Sequence, residues 1–322
     1  MRGPDVSSKR EMRLALLFVS AADDPDQWRA ELRQRFPALE VRVHPDVGRP
    51  EDIDVALVWL PPSGLLASLP NLKLILSLGA GVDAMLRDPT LPADLPLCRL
   101  VDPSLTRTMS EYVLLHVLKY HRMQDLFARD QRQGRWHLRL PRAPSSTTVG
   151  ILGMGVLGTD AARTLQGHGF SVRGWSRSRK DLDGVECFAG AGELDAFLAG
   201  SQILVCLLPL TAETEGFLNR ALFRRLPKDA RLVHVGRGAQ LVEADLIPAL
   251  DAGELGGATI DVFTVEPLPE DHPFWRHEAI DVTPHAASYS DPSVGADVIA
   301  ENLRRFFDGQ PLMHVVDRVR GY

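Results

Sequence analysis

The string Gly153-Met-Gly155-Val-Leu-Gly158 constrains this chain more than any other part of it. It follows an apolar run, Thr148–Leu152, that reads as a β-strand, and it opens a segment from Thr159 to Gly167 that reads as a helix. In that setting each glycine has a physical task. Gly153 makes the tight turn, Gly155 lets the backbone approach a pyrophosphate, and Gly158 lets helix and strand pack closely. Phosphate oxygens then meet the unpaired N–H groups at the helix start, where the helix dipole favours negative charge. Gly153, Met154, Gly155, Val156, Leu157 and Gly158 are therefore expected to hold a dinucleotide.

The end of the next strand selects which dinucleotide. An acid there accepts bonds from a ribose 2′-hydroxyl. Here the chain reads Trp175-Ser-Arg-Ser-Arg-Lys180, and the first acid is Asp181. Cations and hydroxyls suit a 2′-phosphate through charge-assisted hydrogen bonds. Ser176, Arg177, Ser178 and Lys180 are thus expected to prefer NADP(H), with NAD(H) as the weaker alternative.

Around this unit the chain alternates strands and helices. Before it, Leu14–Val19, Val41–Val43, Val55–Trp59 and Leu72–Leu78 read as strands, with a helix over Pro25–Phe36 entered through Asp23 and Asp24. A long helix is predicted from Ser104 to Gln133, carrying apolar Tyr112, Leu115, Leu118 and Leu126, and then an extended loop from Gly134 to Ser146. Strands are also predicted at Ser171–Trp175, Ile203–Leu207, Arg231–Val235, Ala258–Ile260 and Ile280–Thr283, and a last amphipathic helix from Ser293 to Phe307. This is an α/β chain, with a Rossmann-type doubly wound parallel sheet as its second half.

With 322 residues, of which 45% are hydrophobic and 24% charged, two globular domains are expected. A formal net charge of −6 argues against a general nucleic-acid binder. The 3 cysteines, Cys98, Cys187 and Cys206, are odd in number and far apart, which fits a reducing, cytoplasmic compartment. No apolar run approaches the ~20 residues a membrane helix needs. Met1 to Glu11 reads as a polar leader rather than a signal peptide, because the apolar stretch after it is short. No metal is expected: His116 and His121 miss the i, i+4 spacing of a helical ligand pair and read as helix-surface residues.

Three residues downstream suggest chemistry. Arg237 lies in Val235-Gly-Arg-Gly238, Glu266 in Asp261-Val-Phe-Thr-Val-Glu-Pro-Leu-Pro269, and His285 in Thr283-Pro-His-Ala-Ala287. Each follows a predicted parallel strand, so all three are expected at the sheet edge that carries the glycine loop. A guanidinium can hold a carboxylate and polarise its neighbouring carbonyl. An imidazolium can donate a proton as hydride reaches carbon, and a carboxylate behind it orients the ring.

These motifs, in this order, resemble the D-isomer-specific 2-hydroxyacid dehydrogenases, most closely the short glyoxylate/hydroxypyruvate reductase A type. The likeness runs from about Met12 to Tyr322. It also rests on Val58-Trp-Leu-Pro-Pro62, Leu78-Gly-Ala-Gly-Val-Asp83, Met109-Ser-Glu-Tyr112, Gly150-Ile-Leu-Gly153, Trp175-Ser-Arg177 and Val316-Asp-Arg-Val-Arg-Gly-Tyr322. The resemblance implies that Arg237 binds substrate, His285 is the acid/base and Glu266 its partner. It implies that Trp59 narrows the pocket and that the Gly79-Ala80-Gly81 turn offers N–H groups to the substrate carboxylate. Leu208, Pro209, Gly236 and Asp261 would border the cofactor.

The resemblance further implies a discontinuous flavodoxin-like substrate-binding domain, residues 1–108 with 290–322, and a dinucleotide domain, 109–289. The active site would lie in the cleft between them, with hinges near Ser110 and Ser290. An arm around Arg135-Trp-His137 would join a homodimer. The expected activity is NADPH-dependent reduction of small 2-oxo acids, glyoxylate to glycolate and hydroxypyruvate to D-glycerate. A dehydrogenase for a bulkier D-2-hydroxy acid, or a non-catalytic dinucleotide-sensing protein, are the alternatives. One departure from the family pattern is His234, where asparagine is common.

Overall fold

Leu14–Val19 is apolar at every position, and as strand β1 it is buried at every position, as a parallel strand covered on both faces must be. The computed structural model describes residues 14–321; the leader expected over Met1 to Glu11 lies outside the described residues. The chain divides into two compact units, one formed by residues up to Ser104 together with Ser290 onward, the other by Leu105–Tyr289.

The first unit begins with β1 and helix α1 (Pro25–Arg35), which starts where Asp24 accepts a hydrogen bond from the Asp26 N–H and Pro25 takes the first helical position. Strands β2 (Leu39–Val43), β3 (Ile53–Val58) and β4 (Leu74–Ser77), the short helix α2 (Asp83–Leu86) and strand β5 (Leu97–Cys98) follow. The sheet order is β2-β1-β3-β4-β5 with every pair parallel, the flavodoxin-like arrangement. The C-terminal helix Pro292–Phe307 returns to this unit. It places Ala296, Ile299 and Leu303 in one core with Phe18, Trp28 and Leu57, and each fully buried Leu, Ile or Phe side chain contributes roughly 1.5–3 kcal/mol.

The predicted single helix from Ser104 to Gln133 is two helices. Met123 adopts a left-handed conformation, φ 55°, which ends α3 (Pro103–His121) before α4 (Gln124–Arg132) begins. The buried face of α3 is Leu105, Met109, Val113, Val117 and Tyr120, at helical spacing, whereas Leu115 points outward. His116 is buried beside them, contrary to the surface position expected of it; its Nδ1 lies 3.3 Å from Thr259 Oγ1 and its ring 4.3 Å from that of Tyr112. Ser110 sits inside α3, bonded to Asp160 at 2.6 Å.

The second sheet has seven strands where six were expected. In chain order the elements are β6 (Thr148–Leu152), α5 (Val156–Gly167), β7 (Ser171–Ser176), β8 (Val185–Ala189), α6 (Leu194–Ala199), β9 (Ile203–Cys206), α7 (Arg220–Phe223), β10 (Ala230–His234), α8 (Glu243–Asp251), β11 (Leu255–Ile260) and β12 (Ile280–Val282). Their order is β12-β11-β10-β9-β6-β7-β8, all parallel. The missed strand is β8, an edge strand with no fully buried residue and so no continuous apolar run. The chain leaves β6 in one direction to β7 and resumes on its other side at β9, and this reversal is where open α/β sheets form a ligand crevice. Among the described residues no helix is long and apolar enough to cross a membrane.

Candidate active site

The loops after β6, β9, β10, β11 and β12 all leave the same edge of the second sheet, because every strand runs in the same direction. Arg237 follows β10, Glu266 follows β11 and His285 follows β12, so three neighbouring strands present the three expected groups in sequence.

Hydrogen bonds bring two of these groups into contact. His285 Nδ1 lies 2.8 Å from Glu266 Oε2, and the other carboxylate oxygen accepts the Phe263 N–H at 2.9 Å. With Nδ1 donating to the carboxylate, Nε2 is the ring atom turned toward other chemistry. Burial pushes the Glu266 carboxyl up. The bonds from His285 and Phe263, with the charges of His285 and Arg237, outweigh it and hold the group below its ordinary value. Arg237, on the turn after the neighbouring strand β10, adds its charge to that effect.

His285 itself has a left-handed backbone, φ 53°, uncommon for a residue with a Cβ. Asp261 holds it there. The Asp261 carbonyl accepts the His285 N–H at 2.8 Å, and its carboxylate accepts Ala286 N–H at 2.8 Å, Ala287 N–H at 2.9 Å and the Thr283 hydroxyl at 2.6 Å. Tyr112 joins Thr283 at 2.6 Å. Asp261 is 1% exposed, and burial raises its pKa against these donors. Thr283 and Tyr112 lie in strings that carry the family resemblance, but the sequence assigned them no role; that they support this loop emerges only from the hydrogen bonds.

The glycine loop shows why each glycine is present. Gly153 has φ 102°, and a Cβ on Gly158 would sit 2.0 Å from the Gly153 carbonyl. Gly155, the N-cap of α5, differs: a Cβ there would meet no protein atom within 4 Å. The protein's own packing does not need glycine at 155, whereas a phosphate group on the start of α5 does. The residues present therefore fit a dinucleotide. Met154 is buried, and a Cβ on Gly174 would come within 2.6 Å of its sulfur; Val156 and Leu157 enter α5. At the end of β7, Ser176 Oγ donates to the Ser178 carbonyl at 2.8 Å, Arg177, Ser178 and Lys180 are exposed, and Arg179 is tied to Glu193 and to the Cys187 carbonyl. Leu208 and Pro209 follow β9, and Gly236 follows β10, both at the same sheet edge.

Similarity to known proteins agrees with this architecture. Residues 114–287 match the family described as D-isomer specific 2-hydroxyacid dehydrogenase, NAD binding domain. A protein of Serratia proteamaculans (strain 568) named glyoxylate/hydroxypyruvate reductase A is 46% identical over 313 residues, 95% of this chain and 99% of its own length. The chain belongs to the D-isomer specific 2-hydroxyacid dehydrogenase family.

Solved members of the family share its fold closely. A D-isomer specific 2-hydroxyacid dehydrogenase from Xanthobacter autotrophicus Py2, in complex with NADPH and MES, is 47% identical with a TM-score of 0.92, covering 96% of this chain and 100% of its own. An NADPH-dependent glyoxylate/hydroxypyruvate reductase from Sinorhizobium meliloti, in complex with NADP and sulfate, is 41% identical with a TM-score of 0.89 over 96% and 100% of the two chains.

The remaining expected residues of this family member lie in the first unit. Trp59 follows β3, and its ring packs so closely on Gly79 that a Cβ there would come within 2.3 Å of it. The half-buried Ala80 and Gly81 continue the same turn after β4. His234, the departure from the family pattern, is fully buried and hydrogen-bonds the Arg237 carbonyl through Nε2 at 3.0 Å. Burial, opposed by that bond and reinforced by the Arg237 charge, pushes its pKa down to about 4. It therefore stays neutral near pH 7. Among the described residues no group of three or more His, Cys, Asp or Glu is placed to hold a metal ion.

Proposed function

We propose that this chain is an NADPH-dependent reductase of small 2-oxo acids, glyoxylate and hydroxypyruvate first, with NAD(H) the poorer cofactor. The observation that carries the proposal is the His285–Glu266 pair at 2.8 Å, with Arg237 after the next strand, on the sheet edge of the glycine loop. NADPH held on the glycine loop would supply the hydride for the carbonyl carbon. His285 donates its proton to the carbonyl oxygen, so the product leaves as a 2-hydroxy acid. Glu266 stabilises the protonated ring and fixes which nitrogen faces the substrate. Arg237 binds the substrate carboxylate and draws electron density from the carbonyl.

The glycine loop, with Leu208, Pro209, Gly236 and the structured region at Asp261, forms the cofactor side of residues 109–289. Ser176, Arg177, Ser178 and Lys180 take the 2′-phosphate. Residues 1–108 with 290–322 form the substrate-binding side, where Ala80 and Gly81 offer N–H groups to the carboxylate and Trp59 excludes larger side chains. A homodimer fits the segment after α4, in which Trp136, Leu138 and Leu140 are 98%, 81% and 77% exposed; a group of large apolar side chains this exposed on one short segment suits a contact surface. A cytoplasmic location fits three free cysteines, two of them buried with thiols pushed up to about 11 and about 12.

The test is a panel of 2-oxo acids assayed with NADPH and NADH in parallel. Glyoxylate and hydroxypyruvate are expected to be reduced, with kcat/KM higher for NADPH. No turnover with any acid, despite NADPH binding, would favour the sensing alternative and overturn the proposal.

A further inference from the structure

Arg237 is fixed through its main chain. Its N–H donates to Gln240 Oε1 at 2.8 Å, and its carbonyl accepts from His234 Nε2 at 3.0 Å. Gln240 is 0% exposed, and its Nε2 donates to the Leu208 and Pro209 carbonyls, each at 3.0 Å. Only one orientation of the amide serves these partners, since two carbonyls need the NH2 group and an N–H needs the oxygen. Gly236 makes the approach possible: a Cβ there would lie 2.2 Å from Gln240 Oε1.

One buried side chain thus joins the turn after β9 to the turn after β10. A residue of equal volume without polar atoms would fill the same space, at the cost of leaving the Arg237 N–H and the Leu208 and Pro209 carbonyls without this partner. What an apolar residue does not supply is a fixed spacing between the two turns. We propose that Gln240 is a positioning residue for the reduction: it holds the Arg237 backbone at a set distance from the Leu208–Pro209 turn, and so sets where the guanidinium meets the substrate carboxylate relative to the cofactor. This rests on the roles given to Arg237, Leu208 and Pro209 above.

The test uses the full chain with Gln240→Met, which keeps the length and removes these three bonds along with the long Cys206 Sγ contact at 3.9 Å, and Gln240→Glu, which keeps an acceptor for the Arg237 N–H and loses the donors to Leu208 and Pro209. Glyoxylate kinetics at saturating NADPH are measured alongside thermal unfolding. A merely structural loss lowers the amount of active enzyme, hence apparent kcat, and leaves KM where it was. Mispositioning instead raises KM for glyoxylate, by about tenfold, within the cost of a displacement on the order of 1 Å. A KM within threefold of wild type in soluble Gln240→Met overturns the inference; if that variant is insoluble, Gln240→Glu decides by the same limit. An active wild type with unchanged variants removes this inference alone, whereas a wild type that reduces no 2-oxo acid removes the proposed function and this inference with it.

Discussion

His285 and Glu266 share a hydrogen bond of 2.8 Å although 19 residues separate them in the chain, because they leave adjacent parallel strands, β12 and β11, at the same edge. The pair makes two expectations. His285→Ala should lower kcat for glyoxylate by on the order of 10²–10⁴-fold, the usual contribution of a positioned acid, while NADPH binding, followed by fluorescence titration, changes little. Glu266→Gln removes the anion that balances the protonated ring. The kcat of that variant for glyoxylate should then fall by about tenfold or more, the scale of one lost charge-assisted hydrogen bond, while NADPH binding changes little. An unchanged kcat would show that the carboxylate does not serve the ring.

Arg237→Lys keeps the charge and loses the fork. A guanidinium meets a carboxylate with two parallel donors, an ammonium with a point charge. Steady-state kinetics should show a KM for glyoxylate raised by about tenfold or more, at the scale of one lost charge-assisted hydrogen bond, roughly 1.5–3 kcal/mol. Arg237→Ala should lose more.

Two glycines in one loop should fail in different ways. Gly158→Ala drives a Cβ to 2.0 Å from the Gly153 carbonyl, so both the melting temperature and NADPH affinity should fall. Gly155→Ala meets no protein atom within 4 Å. Its melting temperature should stay near wild type, while the dissociation constant for NADPH rises by about tenfold as the methyl occupies phosphate space. Equal effects of the two substitutions would remove the reading of this loop as a phosphate cradle.

Stability should fall in mild acid. His116 and His234 are pushed from 6.5 down to about 4 by burial. Between those values the unfolded chain takes up protons that the folded chain refuses, so their contribution is full above pH 6.5 and is lost progressively toward pH 4. Urea midpoints at pH 7.5 and pH 4.5 measure this loss. In His234→Asn the difference between the two midpoints should shrink, whatever happens to stability at pH 7.5.

The legible parts of this chain share one property: they are buried on both faces. Leu14–Val19 and Ile203–Cys206 are apolar without interruption, so their strands stand out. Val185–Ala189 and Leu97–Cys98 do not, the one being half-exposed at an edge and the other only two residues long. The break at Met123 carries no glycine or proline to announce it. His116 looked like a surface histidine because its partner, Thr259, lies on a strand far along the chain. At the site, the placement of Arg237, Glu266 and His285 after successive strands could be read from the residues. The web around Asp261 could not, because two of the donors to its carboxylate are backbone N–H groups, which no residue type encodes.

The left-handed backbone at His285 narrows what can ever replace it. Asparagine, aspartate and glycine enter that region readily, whereas valine and isoleucine do not. A descendant that abandoned turnover while keeping its architecture would be steered toward those few side chains, so the loop would retain its shape long after the imidazole had gone. Such a pseudoenzyme would be told apart by that one position.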